Sequence, residues 1–135
     1  MLVGLAGKNM FFGSSLTCLP TYQATVLSEK VQLVSIALTQ MKESPTIQEI
    51  LMPKIVQRLC QTESLIAIAG VRQIPVRIYH LLLWLKDNFG QPRLQGTRIE
   101  VRLTHQELAS ACGTTRVTIT RELSKLKKQG ASPTI

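Results

Sequence analysis

The side chains of this chain that could do chemistry are basic and hydroxylic, and they concentrate between His105 and Leu126, in HQELASACGTTRVTITRELSKL. Ile119, Leu123 and Leu126 recur at i, i+4 and i+7, the spacing of one buried helix face. Thr114, Arg116, Val117, Thr118, Thr120 and Arg121 are left on the other side, near the start of that helix. An arginine can give a bidentate pair of hydrogen bonds to guanine O6 and N7, a valine can touch a thymine methyl, and a threonine hydroxyl can hold a phosphate. The set therefore suits the major groove of double-stranded DNA. The competing reading is an ordinary helical hairpin with a solvated basic face.

The remaining polar residues give catalysis little support. His80 and His105 stand alone, no Ser-His-Asp or metal-spaced cluster is present, and no glycine-rich loop could cradle a phosphate. Cys18, Cys60 and Cys112 have no paired spacing, so they read as small buried hydrophobes in a reducing cytoplasm. No cofactor is expected. The balance of 16 Lys and Arg against 8 Asp and Glu, a formal charge of +8, favours polyanionic partners. The excess is greatest where the helix pair lies. From Arg93 to Gly130 the basic residues are Arg93, Arg98, Arg102, Arg116, Arg121, Lys125, Lys127 and Lys128, against Glu100, Glu107 and Glu122.

Elements able to position these residues can be read outward from the motif. Thr104 caps the first helix, with Glu107 completing a capping box, and Leu108, Ala109 and Cys112 face inward. Gly113 supplies the turn and Thr115 caps the second helix. Upstream, Thr97–Leu103 alternates as a half-buried strand, and Val76–Phe89 is a helix stopped by Gly90 and Pro92. Thr46–Ala69 has a helical stripe of Ile47, Ile50, Leu51, Ile55, Leu59, Leu65, Ile66 and Ala69. Ser44 or Thr46 can cap it, Gly70 can end it, and Pro53 predicts either a kink or a second helix starting there. The stripe fits the chain's own core or a dimer seam. Residues 1–38 carry β-branched and period-two patches broken by Gly and Pro, which predict three or four strands. No apolar run approaches the roughly 20 residues that span a bilayer, so no membrane partner is expected and a cytoplasmic location is.

Four segments resemble the cyclic-AMP receptor protein and FNR (Crp/Fnr) superfamily of bacterial regulators, and most closely its cyanobacterial nitrogen-control branch, NtcA. They are FFG at 11–13, RLCQTE at 58–63, RIYHLLLWLKDNFG at 77–90 and LTHQELASACGTTRVTITREL at 103–123. The resemblance implies an α+β chain. Residues 1–45 would be the tail of a β-roll sensor, 46–70 a dimerisation helix, 71–130 a winged helix-turn-helix domain lacking its wing, and 131–135 a tail. It implies that Arg116, Val117 and Arg121 face base edges and that Gln106, Thr115 and Thr118 meet phosphate. It further implies a homodimer on a palindromic promoter site, with RNA polymerase as a partner the family allows.

Gly13, Ser14, Arg58 and Glu63 fall at the family's effector positions. Cyclic AMP is not expected, because Ser14 and Thr21-Tyr22 stand where its binders carry a glutamate and an Arg-Ser pair. For 2-oxoglutarate, Arg58 and Glu63 match, while Pro20 replaces a second arginine, so at most weak binding is expected. Against the family pattern the chain reads as truncated at both ends. A truncated module that pairs with a full-length relative and blocks its DNA binding is the alternative function.

Overall fold

The computed structural model describes residues 2–130, so the expected tail at 131–135 lies outside the described residues. Helices and one hairpin follow the chain: a single 3-10 turn at Ser14–Leu16, then α1 (Leu38–Glu43), α2 (Pro45–Gly70), α3 (Ile74–Phe89), β1 (Gly90–Arg93), β2 (Gly96–Ile99), α4 (His105–Cys112) and α5 (Arg116–Lys128). No helix among the described residues is long and apolar enough to cross a membrane.

The core is built around α3. Its helical period turns Ile78, Leu81, Leu82, Trp84 and Leu85 inward. Leu65 of α2, Ile99 of β2, Leu108, Ala109 and Cys112 of α4, and Ile119 of α5 close on them. Phe89 meets Trp84 edge to face, with ring centroids 6.0 Å apart. α3 thus packs against α2, α4, α5 and the hairpin, and it is the element through which the long helix and the C-terminal helix pair are joined.

β1 and β2 pair antiparallel, Gly90 opposite Ile99 and Arg93 opposite Gly96, with Leu94 and Gln95 as the turn. The expected strand at 97–103 is real but shorter, and its partner is the Gly90–Arg93 segment that the sequence marked only as a helix stop. Gly90 serves both purposes. A Cβ there would run into the Lys86 carbonyl and the Thr97 methyl, so only glycine lets the chain leave α3 and enter the hairpin at once.

The strands expected over residues 1–38 are not present among the described residues. Residues 2–37 form no strand: besides the 3-10 turn they hold the expected turn at 7–9, closed by the Met10 N–H donating to the Gly7 carbonyl at 3.2 Å with Asn9 at φ 61°, and bends at 20–21 and 28–29. A strand is held by a neighbour's ladder of hydrogen bonds, and no other element among the described residues supplies one. The start of the segment is anchored, with Leu5 buried and the Thr62 hydroxyl donating to the Val3 carbonyl at 3.1 Å; further along, Leu27 packs against the core and Glu29 meets Arg102 at 3.7 Å on the surface. Val26, Val31, Leu33, Val34 and Ile36 are exposed.

Ser44 caps α2, its hydroxyl accepting from the Ile47 N–H, with Pro45 at the first helical position where its missing N–H costs nothing. The helix is continuous through Pro53, so no second helix begins there. Its apolar stripe divides. Leu65 joins the core, whereas Ile50, Ile55, Leu59 and Ile66 stay exposed, as do Met52 and Val56, which lie outside the expected stripe. Packing against the chain's own core therefore accounts for little of the stripe. Cys112 is buried as expected, but Cys18 and Cys60 are exposed, because neither lies under a second layer of structure.

Candidate nucleic-acid interface

Local chemistry fixes the C-terminal helix pair almost residue by residue. Thr104 and Glu107 form the capping box: the Glu107 N–H donates to the Thr104 hydroxyl at 3.2 Å, and the Thr104 N–H donates to the Glu107 carboxylate at 2.6 Å. α4 ends at Gly113 in the left-handed region, with φ 59° and ψ 44°. The Thr114 N–H returns to the Ala109 carbonyl at 2.9 Å, and the Gly113 N–H to that of Ser110 at 3.4 Å, which is a Schellman end. Two residues later α5 begins with Thr115 as its cap, accepting from the Thr118 N–H at 3.2 Å. Ala109 is fully buried, and its small side chain lets α5 cross α4 closely with Ile119 sealed between them.

This arrangement leaves one basic face. Arg116, Val117, Thr120 and Arg121 are exposed, Val117 at 76%. Thr115 and Thr118 have hydroxyls 3.0 Å apart, so one proton is used between them and the other is free to donate to a phosphate. Gln106 is exposed on the first turn of α4. The Thr120 hydroxyl donates to the Arg116 carbonyl at 2.9 Å, so His105, whose Nδ1 lies 2.9 Å from the same hydroxyl oxygen, must be the donor in that pair. His105 thereby ties the start of α4 to α5.

The three carboxylates between Arg93 and Gly130 are all engaged: Glu107 in the capping box, Glu100 with Arg93 at 3.5 Å, and Glu122 with Lys125 at 2.9 Å and Arg121 at 3.3 Å. Glu122 is a residue that sequence reasoning missed. It is buried beside the exposed Arg121 and accepts from its Nε, which leaves the two Nη groups to point outward. The hydrogen bond from Lys125, its charge and the Arg121 guanidinium together hold the Glu122 carboxyl below its ordinary value of 4.5. No signal in the sequence separates this glutamate from any other on a helix.

Residues 76–132 match the family of Crp-like helix-turn-helix domains. The segment from α3 through α5 is similar to such a domain. The chain is 33% identical over 131 residues to the regulatory protein CysR of Synechococcus elongatus, covering 95% of this chain and 59% of the relative. It is 37% identical over 103 residues to the global nitrogen regulator of Synechocystis sp., covering 76% and 44%. It thus spans about half the length of the curated relatives it matches. A solved CRP-family transcriptional regulator from Thermus thermophilus superposes with a TM-score of 0.54 at 20% identity, over 67% of this chain and 46% of that one, which shows the shared fold. The family resemblance seen at 58–63, 77–90 and 103–123 is the one these comparisons return.

Outside the matched segment the expected effector residues do not form one site. Arg58 is half-buried, its guanidinium beneath Gly4 and within 3.5 Å of the Gln61 amide oxygen. Glu63, five positions further along α2, lies on a different face and is exposed. Gly13 and Ser14 lead into the 3-10 turn, and neither shares a hydrogen bond with Arg58 or Glu63 among the described residues.

Proposed function

We propose that this chain is a sequence-specific regulator of the Crp/Fnr type that reads double-stranded DNA with the first turns of α5. The observation that carries it is the exposed row of Arg116, Val117 and Arg121 on a helix that is capped by Thr115 and seated by Ile119. Arg116 and Arg121 supply guanine readers, Val117 a thymine-methyl contact, and Gln106, Thr115 and Thr118 phosphate contacts. A binding titration at fixed salt on a palindrome of the GTA and TAC type, against scrambled DNA, tests it. Replacing Arg116 or Arg121 by alanine should cost about 1–3 kcal/mol on the palindrome and relax the preference at one base pair. Equal losses on both DNAs would remove the base-reading assignment.

Homodimerisation through α2 belongs to the same reading. Met52, Ile55, Val56, Leu59 and Ile66 are exposed at spacings of three, four and seven, the pattern of a helix-to-helix seam. A two-fold pair would set two reading helices roughly 34 Å apart, one turn of DNA. Such a protein works in the cytoplasm, beside the DNA. An effector, if 2-oxoglutarate, would find Arg58 as its one cationic partner, so weak binding is expected, and for cyclic AMP none. Ligand-induced shifts of the melting temperature check both.

A further inference from the structure

Arg77 lies on the first turns of α3, and all of its hydrogen bonds go to main-chain carbonyls of other segments. Its Nε donates to the Val71 carbonyl at 2.8 Å and its Nη2 to the same oxygen at 2.5 Å, while Nη1 donates to the Cys112 carbonyl at 2.7 Å. Val71 is the residue that follows α2, and Cys112 is the last of α4. Both oxygens stand where a helix ends and no further N–H of that helix arrives, and both carry the partial negative charge of a helix C-terminus. One planar cation therefore completes two helix ends that belong to different parts of the molecule. Among the described residues Arg77 takes part in no ion pair with a carboxylate. Gly113 closes the arrangement, its α-carbon side lying against Nη1, and the Arg77 charge is felt by the Cys112 thiol, where it opposes the burial that pushes that group up to about 11.

We propose that Arg77 is the joint that fixes the direction of the helix pair α4–α5 on the long helix α2. Only three residues, Val71, Arg72 and Gln73, connect α2 to α3, and α3 in turn seats α4 and α5. Packing of Leu65 and Ile68 against the core holds α2 and α3 together along one side. The fork of Arg77 adds a polar clamp at the bend itself and extends it to the turn in which the reading helix starts. A lysine keeps the charge, but its single ammonium cannot span the two carbonyls. Arg77 is thus a positioning residue, acting on DNA through the angle of α5, and its consequence for DNA rests on the reading proposed above.

The joint is tested without DNA by the spin-label distance between Gln57→Cys on α2 and Ser124→Cys on α5, in a full chain carrying Cys18→Ser and Cys60→Ser and diluted with unlabelled chain. The parent should give one narrow distribution, and Arg77→Met a broad one at unchanged helical circular dichroism. Should Arg77→Met fail to fold, Arg77→Lys decides in the same way. A distribution as narrow as the parent's in a folded variant overturns the proposal. In the DNA arm, Arg77→Lys should lose about tenfold on a two-half-site palindrome, a typical coupling between distant parts of a protein, and nothing on a single half-site. Equal loss on both DNAs would mean a damaged reading helix and would also overturn it. If the parent bound no DNA, the DNA reading would fall while the distance measurement still judged the joint.

Discussion

The helix pair 104–128 and the segment 2–37 both carry clear periodic patterns, yet one is fixed and the other forms no strand and only a single 3-10 turn. In the helix pair nearly every need is met within a few residues: Thr104 and Glu107 satisfy the start of α4, Gly113 its end, Thr115 the start of α5. The burial of Ile119, Leu108 and Cys112 then requires only that two neighbouring helices cross. In the N-terminal segment the alternating apolar residues ask for a ladder partner, and none is among the described elements. Helical order is mostly settled by local terms, whereas sheet order is settled by whatever lies alongside. The long helix stands between the two cases, complete as a helix and uncovered along Leu59 and Ile66.

The largest contrast should come from the core beneath the reading helix. Ile119→Ala leaves a cavity between α4, α5 and α3, and should cost about 2–5 kcal/mol in a denaturant titration. A loss below about 1 kcal/mol would show that the helix pair is less tightly packed than its complete burial indicates. Next comes the cap. Thr104→Ala removes the acceptor for the Glu107 N–H and should cost about 1 kcal/mol, with the loss concentrated in hydrogen-exchange protection of the first turn of α4. Uniform loss of protection throughout α4 would argue that the start of the helix is held by packing instead.

This division also explains what could be read from the sequence. The capping box, the left-handed glycine, the inward faces of α4 and α5, and the stop of α3 at Gly90 all have causes within four residues, and all stand where the spacing puts them. Three features have causes outside the element that shows them. The partner of the strand at Gly96–Ile99 lies in a segment read only as a stop signal. The strands expected at 1–38 depend on neighbours that a local pattern cannot supply. Arg77 bonds to main-chain oxygens at Val71 and Cys112, and carbonyls leave no mark on residue type, so nothing in the sequence singles that arginine out. Of the site, Arg116, Val117 and Arg121 emerge together on one exposed face, while the role of Glu122 beside Arg121 is visible only in three dimensions.

A smaller effect is expected at Glu122. Its carboxyl is held low by Lys125 and Arg121, so the unfolded chain takes up a proton there before the folded one does as the pH falls. The stabilisation is therefore complete above the ordinary value of 4.5 and is lost as the pH drops through the lower folded value. Because Lys125 and Arg121 reach it from solvent, the gain is modest. The stability gap between the parent and Glu122→Gln, followed by urea unfolding from neutral pH downward, should close through that window. A gap independent of pH would mean that the glutamate acts by shape alone.

The smallest effect should be found at Val34, and it bears most directly on the contrast between the two regions. Val34 is 86% exposed in the extended segment, so Val34→Ala removes methyl groups that touch water rather than protein. If the segment is held by no ladder, the change should lie within about 0.5 kcal/mol of zero by denaturant titration, as for other exposed sites free of caps or ion pairs. The same truncation applied to a buried apolar side chain leaves a void that its neighbours fill only in part, which is why Ile119 and Val34 should differ severalfold in cost. Ile36 and Leu33 provide the control, since a strand that found a partner in solution would bury alternate residues and make Val34 and Ile36 respond together while Leu33 did not. A cost above about 1 kcal/mol at Val34, with that alternation, would show that the segment does pair when the chain is free to associate, and the boundary between local and non-local order would then lie elsewhere along the chain.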